Sequence, residues 1–456
     1  MSPPAGADGS LAQSLHTQQV SAYTWYVVAM LMFLYINSFL DRVIISLVVE
    51  QLKVDLGITD TGVSLLQGLA FALFYSTLGV PFGRLADRYS RRNIISVGAG
   101  FWAVMASACG LAQTYFQLFI ARMGLGVGEA TLMPAAYSMV SDYFPRHRLA
   151  RAYAVLMLGA PLGTALAFFI GGWVVSFASE VGSVTLPVLG EVRSWQLVFL
   201  ITGLPGLPLA LWVWLTVREP RRTGLLAGAS ARSGLPLTET LRWLSARRGV
   251  YLPLLAGLSL SAMFGSGYMS WVAVFFMRVH GLSAGEVGQF FGAAALVGGV
   301  SGILVGSLWC DVLARHGRRD APLRTAVHAI CVALPLGVAA PLVGDVRLAF
   351  LLITGLVFFL TFPQGSNVAA FTLVTPNQLR GQVAAVFLLA INVTGLGFGA
   401  TLVALFTDYV FGDPGRIHHS LALASIVTGV PALLALSLGL RPYRGAITEA
   451  ERLQVS

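Results

Sequence analysis

Runs of apolar residues long enough to cross a bilayer recur along the chain, separated by short stretches where arginine, glycine and serine collect. A spanning helix needs about 20 residues to cross ~30 Å of hydrocarbon. Twelve segments qualify, at 24–48, 61–82, 94–112, 115–140, 150–178, 196–217, 252–277, 286–309, 325–344, 348–374, 382–407 and 420–440. The longest interval, "REPRRTGLLAGASARSGLPLTETLRWLSARRG", parts the sixth from the seventh. Inside it, "LTETLRWLSARR" has the pattern of a short amphipathic helix lying on the membrane surface. The pattern predicts an all-α integral membrane protein. Its parts are a disordered tail (1–23), a six-helix half (24–217), a linker (218–250), a second six-helix half (251–440) and a tail (441–456). The first tail has no Lys or Arg and lacks the basic start of a signal peptide.

Composition agrees. The chain is 56% hydrophobic and 11% charged, with a mean hydropathy of +0.77, whereas soluble domains carry about 25% charged residues. Its 456 residues would otherwise suggest about three soluble domains. The net charge of +9 comes from 29 bases against 20 acids. Twenty-two of those bases lie in the loops after the even-numbered helices or beyond the twelfth, and five lie in the alternate loops. That bias predicts both termini in the cytoplasm, and the inner membrane if the cell is bacterial. The bases form no patch interleaved with aromatics, so nucleic acid is not an expected partner. One base in the sparse loops, Lys53, is the sole lysine.

Little points to chemistry on a substrate. Cys109, Cys310 and Cys331 sit in or beside apolar segments without metal-ligand spacing, and His418–His419 has no further ligands near it. No metal, cofactor or catalytic residue is expected, and the chain does not read as an enzyme.

Two stretches repeat. "GRLADRYSRRN" (Gly83 to Asn93) follows the second helix, and "GSLWCDVLARHGRRD" (Gly306 to Asp320) follows the eighth. Repeated helical units with a substrate site between them are a common plan for secondary transporters. In this reading Gly83 lets two helices approach and Asp87 sits at the positive end of a neighbouring helix. Arg88, Arg91 and Arg92 reach carboxylates on another helix. With Asp311, Arg315 and Arg318 in the second copy they form a cytoplasmic latch.

The remaining signal is charge inside apolar segments. "INSFLDRVIISLVV" places Asp41 beside Arg42 in the first helix, and a charge at mid-bilayer costs about 2.5–3.5 kcal/mol on insertion scales. "ARMGLGVGEA" places Arg122 and Glu129 seven residues apart in the fourth, so they share one face about 10 Å apart along the axis. Together the four are formally neutral. One arrangement pairs Asp41 with Arg122. The other pairs Arg42 with Glu129 and leaves Asp41 free to take a proton, so the set can couple protons to conformation. The second half has no such charges, only His328. Tyr35, Asn37, Tyr75 and Tyr137 in the first half, and Tyr268, Trp271, Asn367 and Asn392 in the second, are candidates to line a cavity for an amphipathic substrate.

"GRLADRYSRRN" resembles the signature loop of the major facilitator superfamily. "FLDR", "GITDTGVSLLQGLAFALFYSTLGVPFGRLADRYSRR" and "ARMGLGVGEATLMPAAYSMVSDYFP" are similar to the Spinster family of lipid transporters over roughly residues 35–170. The second half matches only in general plan. The anion–cation symporter family carries comparable Asp-Arg and Arg…Glu pairs. The resemblance implies a twelve-helix major facilitator fold of two pseudo-symmetric halves and a monomeric secondary transporter working by alternating access. It also implies a lysophospholipid or sphingoid-type substrate, with protons and membrane lipids as the other partners. The alternative is a proton-coupled organic-anion symporter or a drug exporter.

Overall fold

The computed structural model describes residues 21–187, 190–222, 237–376 and 379–455. Twelve long helices form. The first half holds α1 (Ala22–Leu47), α2 (Asp60–Arg88), α3 (Arg91–Cys109), α4 (Tyr115–Glu129 continued by Leu132–Tyr143), α5 (Arg151–Val181) and α6 (Ser194–Thr216). The second holds α7 (Arg248–His280), α8 (Ala284–Arg315), α9 (Ala321–Leu342), α10 (Val346–Thr372), α11 (Gln382–Phe411) and α12 (Pro414–Thr448). Ten of them are long and apolar enough to cross a membrane. The other two are α3, which opens on Arg91, Arg92 and Asn93, and α4, which carries Arg122 and Glu129 and breaks after Glu129.

The helix starts follow from local chemistry. Thr59, Ser90, Thr114, Ser283 and Asp345 each offer a side-chain oxygen to a free N–H of the first turn of α2, α3, α4, α8 and α10. Gly57 and Gly281 end the helices before them at φ +63° and +65°, a left-handed conformation that glycine adopts without strain.

The halves meet along α5 with α8 and α2 with α11. A Cβ on Gly288 of α8 would stand 2.4 Å from the Phe168 carbonyl oxygen of α5, and one on Gly68 of α2 would stand 2.6 Å from the Leu396 oxygen of α11. Only glycine permits these approaches. Helices α8 and α11 also contain π-turns, at Ala295–Gly299, Val393–Phe398 and Phe406–Phe411. Such turns disturb the regular backbone ladder. Helix α7 answers in α11: Ser266 donates to the Gly395 carbonyl and Trp271 Nε1 to the Ala400 carbonyl at 2.8 Å.

One expectation changes, one holds and one element is new. Residues 441–455 are not a separate tail but continue the last helix, with Tyr443 buried. Within the linker, the expected amphipathic segment forms the helix Leu237–Ala246, docked by Thr240 on Gln382, while 223–236 lie outside the described residues, as does the first tail through residue 20. Between α5 and α6 a short antiparallel hairpin, Val184–Leu186 with Gly190–Val192, was not foreseen.

Candidate functional site

The four charges inside the first half converge on the point where α1 tightens into a 3-10 turn, Ile44–Leu47. Glu129 is 1% exposed, and its Oε2 takes three hydrogen bonds: Ser38 Oγ at 2.5 Å, Arg42 Nε at 2.7 Å and Arg42 Nη2 at 2.5 Å. Its Oε1 has no partner. The Arg42 guanidinium sits in an aromatic sleeve, 5.1 Å from the Phe39 ring centre and 4.6 Å from those of Phe71 and Tyr75. Its side chain stays 16% exposed, so one face of the cation remains available.

Asp41 is 2% exposed, and neither carboxylate oxygen has a hydrogen-bond partner among the described residues. Being one residue from Arg42, it points about 100° away around α1. Arg122 does not bind its carboxylate. Instead Arg122 Nη1 donates to the Asp41 backbone carbonyl at 2.8 Å and Nε to the Leu66 carbonyl at 3.3 Å. Leu66 lies two residues before the kink in α2 at Gly68 (φ −104°, ψ −81°). Arg122 thus ties together the irregular points of two helices. Of the two charge arrangements the sequence permits, this conformation holds Arg42 on Glu129 with Asp41 unpaired.

The lining candidates separate. Tyr35 packs edge-on to Phe39, Tyr75 stacks on Phe71, and Tyr137 packs edge-on to Tyr153 while remaining 39% exposed. Asn367 borders a crevice in the second half. Asn392 is half-buried on α11. Asn37 does not face the space between the halves: its side-chain oxygen lies beside Gly206 of α6. Tyr268 and Trp271 are corrected as well. Both are fully buried, Tyr268 toward α11 and α12 and Trp271 on the Ala400 carbonyl. Helix α7 is apolar on most of its surface, so sequence alone does not say which aromatic looks into a cleft.

The latch residues are mostly apart. Arg91 is buried and binds Asp142 and the Ser138 carbonyl in its own half and Glu219 (2.8 Å) just past the end of α6. Arg92 is tied through its backbone N–H to Glu219 and its side chain to Asn93, with its guanidinium 5.8 Å from the Trp214 ring centre. Asp87, Arg88, Asp311, Arg315 and Arg318 are exposed, and their side chains have no hydrogen-bond or ion-pair partner among the described residues. Gly83 is no close contact, since a Cβ there would meet only Pro134 Cβ at 3.7 Å. In this conformation the arginine-rich face is unlatched.

The polar contacts between the halves gather at the opposite face. Asp60, at the start of α2, is 0% exposed. It accepts from Lys53 Nζ at 2.6 Å and, bidentately, from Arg278 of α7 at 2.6 and 2.7 Å. Arg278 also donates to Glu50 at 2.7 Å. Beside it, Asp408 of α11 accepts from the backbone N–H and the hydroxyl of Thr61, both at 2.7 Å. None of these was read as a contact between the halves in the sequence, where Lys53 stood out only as the sole lysine and Arg278 looks like an ordinary loop charge.

This plan of two six-helix bundles, joined at one face and carrying charge inside one of them, can be set against known proteins. The model of the Major Facilitator Superfamily matches residues 31–400. An MFS-type efflux pump of Mycolicibacterium smegmatis is 28% identical over 94% of this chain and 95% of its own. Protein spinster homolog 1 of Xenopus tropicalis is 26% identical over 68% of this chain, which spans 59% of that relative's length. Among solved structures, a bacterial homolog of the human lysosomal transporter Spinster, in an inward-facing and unoccupied conformation, is 25% identical. It superposes with a TM-score of 0.78 over 94% of this chain and 98% of its own. The chain therefore belongs to the Major Facilitator Superfamily and is a membrane transporter of Spinster type.

Proposed function

We propose that the protein moves a lysophospholipid or sphingoid-type lipid by alternating access, with Asp41 and Glu129 as its proton-responsive acids. The observation that carries this reading is the pairing of unlike sites: a partly exposed Arg42 beside an unpartnered Asp41 in the first half, and apolar walls in the second. An ionised carboxylate with no partner is an uncompensated buried charge, which proteins avoid. With Asp41 neutral, the four-residue cluster carries one net positive charge and attracts an anionic headgroup. With Asp41 ionised it carries none. Proton binding at Asp41 thereby favours the present conformation, and its loss draws Arg122 from the backbone carbonyls toward the carboxylate.

The arginine bias supports placing the unlatched face in the cytoplasm. The ion-paired opposite face supports an inward-open state, which is also the state of the structural relative.

The test is ligand-induced thermal stabilisation of the purified protein. Lysophospholipids should stabilise it more than small sugar acids at matched concentration, and more strongly at pH 5 than at pH 8. Stabilisation by a sugar acid alone would point to an organic-anion symporter. A second reading, drug efflux, draws on the full-length likeness to the mycobacterial pump, and stabilisation by lipophilic cations without any lysolipid effect would favour it.

A further inference from the structure

Helices α3 and α6 run side by side and part toward the arginine-rich face. Away from that face they nearly touch: a Cβ on Gly203 of α6 would stand 2.7 Å from the Ser107 nitrogen of α3, and one on Gly206 2.7 Å from Ala103 Cβ. Closer to it, a Cβ on Gly100 would find nothing nearer than Ala210 Cβ at 4.0 Å. At the wide end the helices are bridged by a cation over a ring, the Arg92 guanidinium standing 5.8 Å from the Trp214 ring centre. Beside the contact line both helices expose apolar groups, Val97, Phe101 and Val104 on α3 and Leu207, Leu211 and Trp214 on α6. Each set follows i, i+4, i+7 and so shares one face of its helix. Both helices pack against elements of the first half, so the groove between them opens on the bilayer rather than on the gap between the bundles.

Positive charge gathers at the wide end. Asp142 and Glu219 are both engaged there, since they hold Arg91 and Glu219 also accepts from Ser90 and the Arg92 backbone N–H. The Arg92 guanidinium donates to Asn93 Oδ1 at 3.1 Å and has no ion-pair partner among the described residues. Arg218, just past α6, is exposed over the Tyr23 ring at 5.7 Å. The repeat closes the matching place in the second half. Aligning "SRRN" at the start of α3 with "GRRD" before α9 sets Arg92 in register with Arg319. Arg319 donates to Thr448 on the continuation of α12. Helix α6 stops at Thr216 instead, and Arg92 is left open.

We propose that the α3–α6 groove holds one anionic phospholipid of the surrounding bilayer, in the leaflet at the arginine-rich face, with its phosphate on Arg92 and Arg218 and an acyl chain along the groove. The inference does not depend on what the protein transports. Apolar contact with a helix face selects no lipid over another, because hydrocarbon is the solvent on both sides of the exchange. Selection comes from the head. A guanidinium fork matches the oxygens of a phosphate, and basic pockets between helices at this depth favour headgroups with net negative charge over zwitterions. Trp214 stands at the level where indole rings settle in the interface, with its N–H available to the ester oxygens that join head to chains. A lipid so placed ties α3 to α6 where their own packing is loosest.

The test offers phosphatidylglycerol or phosphatidylcholine with the same acyl chains to the delipidated full-length protein in detergent, and reads bound lipid by native mass spectrometry. The unmodified protein should hold phosphatidylglycerol about fivefold more tightly, the factor that one arginine near a charged headgroup supplies, and the preference should shrink as salt rises. Arg92→Gln keeps the backbone contact to Glu219 and should remove most of that preference. Arg218→Gln, which alters no buried group, should reduce it too and serves if the first variant fails to fold. Arg318→Gln, an exposed arginine of the second half, should leave it unchanged. A phosphatidylglycerol with a photoreactive acyl chain should label the peptides carrying residues 97–104 and 207–214. Equal retention of the two lipids, or a preference that survives in the folded Arg92 and Arg218 variants, would overturn the site. Labelling confined to other helices would do the same. Displacement of the lipid by inorganic phosphate would reassign the arginines to a soluble anion and overturn the lipid reading as well.

Discussion

Two buried carboxylate–arginine sites lie in the same molecule and are finished to different degrees. At Asp60 both oxygens are occupied, two bases converge, and the partners come from both halves. At Glu129 one oxygen takes every bond and the other takes none, and its neighbour Asp41 has no side-chain partner. A satisfied site resists change because each lost bond strands a charge in low dielectric. A half-satisfied one keeps spare acceptor capacity and can exchange partners at lower cost. The first has the build of a lock and the second that of a switch.

The difference can be broken most forcefully at Arg278. Arg278→Ala leaves Asp60 with Lys53 alone and should destabilise the joined face by about 3–5 kcal/mol. Spin-label distances between α1 and α7 at that face should lengthen, and unchanged distances would remove the lock.

Glu129→Gln comes next. It replaces charge-assisted hydrogen bonds, worth about 1.5–3 kcal/mol, with neutral ones and frees Arg42. Stability should fall by no more than that amount, and the pH response of the conformational equilibrium should shrink. An undiminished response would make Glu129 a structural acid.

Asp41→Asn sharpens the contrast from the other side. Since no carboxylate bond is present to lose, melting temperature at acid pH should change by less than about 1 kcal/mol equivalent. The pH dependence of distances across both faces, compared at pH 5 and pH 8, should vanish. A large stability loss with the pH response intact would show that Asp41 is not the switch.

Smallest of all, Asp87→Asn at the unlatched face should alter stability in this conformation by no more than about 0.5 kcal/mol. Any role for it belongs to the opposite state, where the mutation should shift the distance distribution of the arginine-rich face.

How far these features were legible depends on how local their signals are. Hydropathy runs are local, and the twelve helices could be counted from them. Arg122 and Glu129 share a face by spacing alone. The Asp60–Arg278 pair is 218 residues apart, and nothing in either neighbourhood encodes the other; only the docking of α7 against the start of α2 brings them together. Asn37, Tyr268 and Trp271 were misassigned for a related reason. In a helix surrounded by apolar neighbours, the periodicity that separates a soluble helix's inner face from its outer face is weak. Gly83 failed differently, because a motif glycine invites a packing role that its surroundings in this conformation do not use.

The solitary lysine has a practical consequence. Because Lys53 is the only side-chain amine in the sequence and its ammonium is held on Asp60 at 2.6 Å, an acylating reagent meets one internal target, masked while the ion pairs hold. Apart from a terminal amine, the extent of labelling in intact cells becomes a chemical clock for how often that face comes undone, read from a single peptide by mass spectrometry without introducing any probe.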